Sequence, residues 1–296
     1  MTTNDLDNEV YTAVQDSRLR RIVEEALMED IGMGDLTTQA ILSPERTGSA
    51  EILAKEAGVV AGLEVAALVF YTIDVDVQFR RLARDGSSVQ TGMVIVQLDG
   101  SVTSMLKAER TALNILQRMS GIATLTRKFV EAVEGTSAKI TDTRKTAPGL
   151  RILDKLAVRI GGGTNHRFGL DDMVLIKDNH IAAAGSLTAA VRQCLKYFEG
   201  KNSMPNIEVE TTTVQQVKEA LSLKGIDRIM LDNFSIKSMR EAVRIINHVV
   251  EVEASGNVSL ATVRTIAETG VDVISVGALT HSPKALDFSL EIKIRN

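Results

Sequence analysis

After Gly135 the chain repeats one pattern: a short apolar run, then polar or small residues, then a stretch of helical spacing. Lys139–Thr141 leads into Asp142, Thr143, Arg144 and Lys145, and Met173–Ile176 leads into Lys177, Asp178 and Asn179. A run from Ile207 ends on Glu210, and Ile229–Leu231 opens onto Asp232 and Asn233. Val250–Glu253 is followed by Ala254, Ser255, Gly256 and Asn257, and Val273–Val276 by Gly277 and Ala278. Helical patterns such as Val214–Leu223 and Leu260–Thr269 fill most of the intervals. Strand, polar tip and helix in this order predict a parallel sheet, open or closed into a β/α barrel. In a barrel the strand C-termini converge on one mouth, where ligands bind. Tips scattered in sequence are then expected to meet in space.

The part before Gly135 follows another rule. Ser17 is placed to cap a helix carrying Leu19, Ile22, Val23, Ala26 and Leu27 at helical spacing. Strand-like runs follow at Ala50–Ala54, Val77–Leu82 and Met93–Leu98, with turn signals at Asp85-Gly86 and Asp99-Gly100. A long helix is predicted from about Ser104 to Val133, ended by Gly135. Phe288–Ile294 has strand character and is expected to return to the first domain. The pattern divides the chain into residues 1–120, residues 121–285 and a returning strand over 286–296.

Composition narrows the partners. The net charge is −4, yet Met105–His180 holds thirteen Lys and Arg against eight Asp and Glu. A local positive field in an acidic chain suits a small anion, although a solvated basic face gives the same count. Aromatic residues at 3% leave few stacking platforms for nucleic acid. The longest apolar stretch, Gly58–Phe70, contains Glu64 and is too short to span a bilayer. The acidic N-terminus is unlike a secretory or transit signal, and the lone Cys194 suits a reducing compartment, so a cytoplasmic location is expected. Phosphate-loop, zinc-protease and nucleophile-elbow motifs are absent. Gly161-Gly162-Gly163 follows a helical pattern, so it reads as a close backbone approach or a sharp turn.

The tips carry the chemistry. Arg144, Lys145, His166, Arg167 and Lys177 form a basic set suited to carboxylates and phosphates; singly, each is an ordinary surface ion pair. Glu210 and Asp232 suit a cation, a metal-bound phosphate or sugar hydroxyls, or else they neutralise Lys177 and its neighbours. Ser255-Gly256-Asn257 and Val276-Gly277-Ala278 are small enough to offer backbone N–H groups to a phosphate. His281 reads as a cap or loop histidine, and the ten methionines as core filler.

Several segments together resemble the quinolinate phosphoribosyltransferase family. They are EDIGMGDLTT (29–38), ERTALNILQRMSGIAT (109–124) and TDTRKTAPGLRILDKLAVRIGGGTNHRFGLDDMVLIKDNHI (141–181). IEVE (207–210), MLDN (230–233), EASGN (253–257) and TGVDVISVGALTHS (269–282) complete the set. The resemblance implies an α/β chain with an N-terminal α/β sandwich domain and an incomplete parallel β/α barrel. It implies joining quinolinate to phosphoribosyl pyrophosphate with loss of carbon dioxide, and a homodimer, sometimes built into hexamers. Thr143, Arg144, Lys145, His166, Arg167 and Lys177 would bind the quinolinate carboxylates and the pyrophosphate, with Arg110 arriving from the other subunit. Glu210 and Asp232 would hold the Mg2+-bound ribosyl group, with Lys145, Glu210 and Asp232 closest to catalysis. Ser255, Gly256, Asn257, Val276, Gly277 and Ala278 would hold the 5′-phosphate. The chain departs from Ser-Gly-Gly at Asn257, a residue that tolerates the left-handed backbone such a nest needs. Two other readings remain: a barrel lyase with a Schiff base on Lys145 or Lys177, and an anion-binding or differently specialised paralogue.

Overall fold

The computed structural model describes residues 15–295; the acidic stretch 1–10 lies outside the described residues. Two compact units are drawn from Met1–Arg127, Thr146–Gly162 and Leu279–Asn296, and from Lys128–Lys145 and Gly163–Ala278.

The first unit is built on an antiparallel sheet with strand order Phe288–Ile294, Thr47–Ala54, Val94–Ser101, Gln78–Arg81. The C-terminal strand returns as the sequence predicts, pairing Gly48 with Ile294 and Ala54 with Phe288. Alternation along Thr47–Ala54 buries Gly48, Ala50, Ile52 and Ala54 on one face. The helix Ser17–Ile31 packs on the helix Leu63–Ile73. Its cap is Asp16, whose carboxylate accepts the Arg18 N–H at 2.8 Å, so Ser17 is the first helical residue and not the cap. Asp99-Gly100 is no turn either. Both residues lie inside the strand Val94–Ser101, which runs straight into the helix Val102–Ala132. Gly100 takes φ 148°, and a Cβ there would come within 3.3 Å of Val77 Cα, so close approach explains the glycine.

Thr146–Gly162 belongs to this unit by contact, although the sequence pattern runs on without a break at Thr146. Its helix Arg151–Ile160 docks through Asp154, fully buried, which accepts both Nε and an NH2 of Arg118 at 2.8 Å. Gly161 ends the helix where a Cβ would lie 2.7 Å from Ala123 O, the close approach the glycine run suggested.

The second unit is a six-stranded parallel sheet in the order Lys139–Thr141, Val273–Ser275, Glu251–Ser255, Arg228–Asp232, Ile207–Thr211, Val174–Ile176. The first strand in sequence pairs with the last, so the chain goes once around. Among the described residues the first and second strands do not pair with each other. That opening makes the barrel incomplete. Its edge carries Thr164, bridged to Thr141, with the Thr164 N–H donating to Ile140 O at 2.8 Å. Helices intervene at Leu187–Phe198, Val214–Leu221, Ile236–Ile246 and Val263–Ala267, the first three capped by Ser186, Thr213 and Ser235. In register, Ile207, Val209, Ile229, Leu231, Val252 and Ala254 share one face. The opposite face is charged: Glu208, Glu210, Arg228, Asp232, Glu251 and Glu253. Branched apolar layers usually fill a barrel interior; here three strands turn charge inward.

Candidate active site

The charged face begins with a buried cluster. His166 follows the Thr164 bridge, and its backbone N–H donates to Asp142 Oδ1 at 2.9 Å. Its ring is only 6% exposed, with Nε2 3.0 Å from Glu208 Oε2 and 3.4 Å from Glu253 Oε2. An NH1 of Arg228 donates to Glu253 Oε2 at 2.8 Å, and the same guanidinium reaches the outer Glu251 at 2.6 Å. Both inner carboxylate side chains have no exposed surface.

Burial pulls the His166 imidazole down, but hydrogen bonds and charge from Glu208 and Glu253 push it up to about 9. Its Nδ1 accepts the Arg167 N–H at 2.8 Å. Burial first and the Glu253 charge second push Glu208 up. For Glu253 burial acts upward too, yet the His166 hydrogen bond and its other partners hold the carboxyl low. His166, Glu208 and Glu253 stand close enough together to surround one ion. They do not fit one, because the Arg228 guanidinium already supplies the cation at Glu253.

His166 is thus set between the Arg167 N–H at Nδ1 and the Glu208 and Glu253 carboxylates at Nε2. What it carries is Arg167. That guanidinium donates to Met173 O at 3.0 Å, and burial, then the neighbouring Arg144 charge, pull its pKa down. Arg144 Nε is buried and has no hydrogen-bond partner among the described residues. A second positive charge near Arg167 and an unmet donor on Arg144 make an arrangement that an anion relieves. Lys145 lies exposed beside them, its N–H donating to Thr143 Oγ1 at 3.1 Å.

Lys177 Nζ donates to Glu210 Oε2 at 2.6 Å, so the neutralising alternative holds for this carboxylate. The nitrogen that a Schiff base at Lys177 would use is engaged by Glu210 in this structure. Asp232 is held differently, by Asn233 Nδ2 at 2.8 Å. Asp232 and Ser255 stand side by side at the ends of neighbouring strands. Gly256 and Asn257 continue with φ 94° and 50°, the left-handed backbone expected of a nest. Val276 does not serve as expected: its N–H is spent on Thr141 O at 2.9 Å, extending the ladder. Gly277 and Ala278 follow at the start of the short helix Ala278–His281. Arg110 is exposed on the helix Val102–Ala132 of the other unit.

Sequence reasoning missed Glu208, Arg228 and Glu253. The signal was available in IEVE and EVEAS, where acids alternate with apolar residues at the strand period of two.

Known proteins align over these same elements. Residues 35–120 match the quinolinate phosphoribosyl transferase N-terminal domain, and residues 122–291 its C-terminal domain. A quinolinate phosphoribosyltransferase [decarboxylating] 2, mitochondrial, of Nicotiana glauca is 45% identical, covering 93% of this chain and 82% of its own. A probable nicotinate-nucleotide pyrophosphorylase [carboxylating] of Bacillus subtilis is 44% identical, covering 94% and 95%. The solved nicotinate-nucleotide pyrophosphorylase of Francisella tularensis superposes with a TM-score of 0.88 at 41% identity, covering 93% of this chain and 96% of that one. With both family domains matched in order and the relatives nearly co-extensive, this chain belongs to the quinolinate phosphoribosyl transferase family.

Proposed function

We propose that this protein transfers the phosphoribosyl group of phosphoribosyl pyrophosphate to quinolinate with decarboxylation. The products are nicotinate mononucleotide, pyrophosphate and carbon dioxide, a step of NAD biosynthesis. The observation that carries the reading is the buried Arg144 Nε with no hydrogen-bond partner among the described residues, in a basic tip whose charge, after burial, also pulls the Arg167 pKa down. With the exposed Lys145 it offers more positive charge than one carboxylate requires.

Arg144, Arg167 and Lys145 bind the dianionic ring and fix its nitrogen toward the sugar. Lys177 and its neighbours favour the departing pyrophosphate, and Glu210 and Asp232 favour positive charge as it develops at the anomeric carbon. The attacking ring nitrogen becomes cationic, and that charge stabilises the carbanion left when the 2-carboxylate departs. Glu210 and Asp232 offer oxygen donors on adjacent strands, the chemistry that suits Mg2+ shared with a substrate phosphate. When bound, magnesium offsets the phosphate charge. Ser255, Gly256, Asn257, Gly277 and Ala278 are assigned to the 5′-phosphate.

We further propose a homodimer, able to build hexamers, in which Arg110 of one copy completes the site of the other. Among the described residues no helix is long and apolar enough to cross a membrane. The reaction is assigned to the cytoplasm, with small molecules and not nucleic acid as its partners. The test is incubation with quinolinate, phosphoribosyl pyrophosphate and magnesium, measuring product mass and carbon dioxide together. Efficient turnover of nicotinate with no carbon dioxide released would overturn the assignment.

A further inference from the structure

We propose that Asn257 and Asn233 form a positioning relay that fixes the Asp232 carboxylate, and that the Asn257 side chain serves this relay and not the phosphate. The inference rests on the assignment of Asp232 to the ribosyl side of the site.

Asn233 Nδ2 donates to Asp232 Oδ2 at 2.8 Å, and Asn257 Nδ2 donates to Asn233 Oδ1 at 2.9 Å. The direction of this chain is set by chemistry. An ionised carboxylate only accepts, so the Asn233 amide must turn its NH2 toward Asp232. Its oxygen then faces the other way and needs a donor, which the Asn257 amide supplies. Without that donor the Asn233 carboxamide loses the contact that keeps it from rotating. The Asp232 carboxylate is thereby fixed at Oδ2.

The backbone is shaped around the relay. Asn233 and Asn257 adopt φ 55° and 50°, left-handed conformations that asparagine tolerates better than most residues. The Asn233 N–H donates to Ser255 O at 2.9 Å, tying the two strand tips together. Between them Gly256 takes φ 94°, and a Cβ there would fall 2.3 Å from Asn233 Oδ1. Gly256 is required by its φ and by the Asn233 backbone N 3.0 Å from where a Cβ would lie, with the amide packed on the same spot.

Asn257→Gly removes the amide while keeping a residue at ease with φ 50°, so the fold and the backbone N–H survive. Because the relay is exposed, its loss is expected to raise the KM for phosphoribosyl pyrophosphate about threefold to tenfold. The KM for quinolinate should stay unchanged. In an Asp232→Asn background the same change should add nothing further, since the group it positions is gone. An equal effect in both backgrounds would mean that Asn257 contacts the phosphate directly, and would overturn the relay. A second readout needs no turnover: the Asn233 side-chain amide protons, followed by NMR, should exchange faster in Asn257→Gly than in the parent. Unchanged Asn233 exchange refutes the relay whether or not quinolinate is the substrate. A parent inactive with quinolinate but showing the exchange difference would sink the functional reading alone.

Discussion

Replacing Arg228 with methionine tests the charged interior directly. Methionine keeps most of the aliphatic bulk and removes the cation. Arg228 touches two kinds of carboxylate: Glu253, with no exposed surface, at 2.8 Å, and Glu251, 42% exposed, at 2.6 Å. Breaking a buried pair by removing one partner costs about 3–5 kcal/mol, because an uncompensated charge stays inside. An exposed pair is worth roughly 0–1 kcal/mol. Arg228→Met is therefore expected to lower the thermal midpoint by about 6–20 °C, at roughly 2–4 °C per kcal/mol. Glu251→Ala should lower it by no more than about 4 °C. Adding Glu253→Gln to Arg228→Met should recover part of the loss, since the inner carboxylate that Arg228 touches no longer needs a counter-charge. Differential scanning calorimetry of the three variants and the parent gives all the values. If Arg228→Met costs no more than Glu251→Ala, the guanidinium is a surface group and the account of the interior fails.

Three further outcomes are expected. Hydrogen bonds from Arg18 hold Asp16 below the usual carboxylate range, and those from Thr38 do the same for Asp35, the cap of the helix Leu36–Ile41. Both helix caps are then fully present above the unfolded value near pH 4 and weaken as pH falls through the lower folded values; hydrogen exchange along Ser17–Ile31 reports it, and an Asp16→Asn variant that frays identically in acid would contradict the capping role. Gly161→Ala, at an ordinary φ of −69°, should cost about 1–3 kcal/mol in urea melts because its Cβ would meet Ala123 O at 2.7 Å; a neutral change would show that the helices yield. Arg110→Ala and Lys177→Ala proteins should each be nearly inactive, and mixing them should restore roughly a quarter of parental activity if each site combines the two residues from different copies. Exchange confirmed by mass spectrometry without regained activity would assign Arg110 to its own chain or to no site.

The sequence by itself determined the alternation of strand, tip and helix after Gly135, because each element is a local matter of periodicity and capping. It also determined the returning strand Phe288–Ile294 and the set of basic and acidic tips. Local signals failed where position outweighed composition. Asp99-Gly100 has the residues of a turn, yet strand pairing on both sides keeps it extended. Only the tertiary structure decided what the charged strand faces meet. A period of two says that Glu208 and Glu210 share a face, but not that Arg228 and Glu253 stand beside them, because those partners come from other strands. The fates of His166 and Val276 were decided in the same way. One is drawn beneath the mouth by Glu208 and Glu253, and the other gives its N–H to Thr141. Pairing between distant strands fixes which polar groups are spent inside the fold and which remain for a ligand, and no local window of sequence contains both partners.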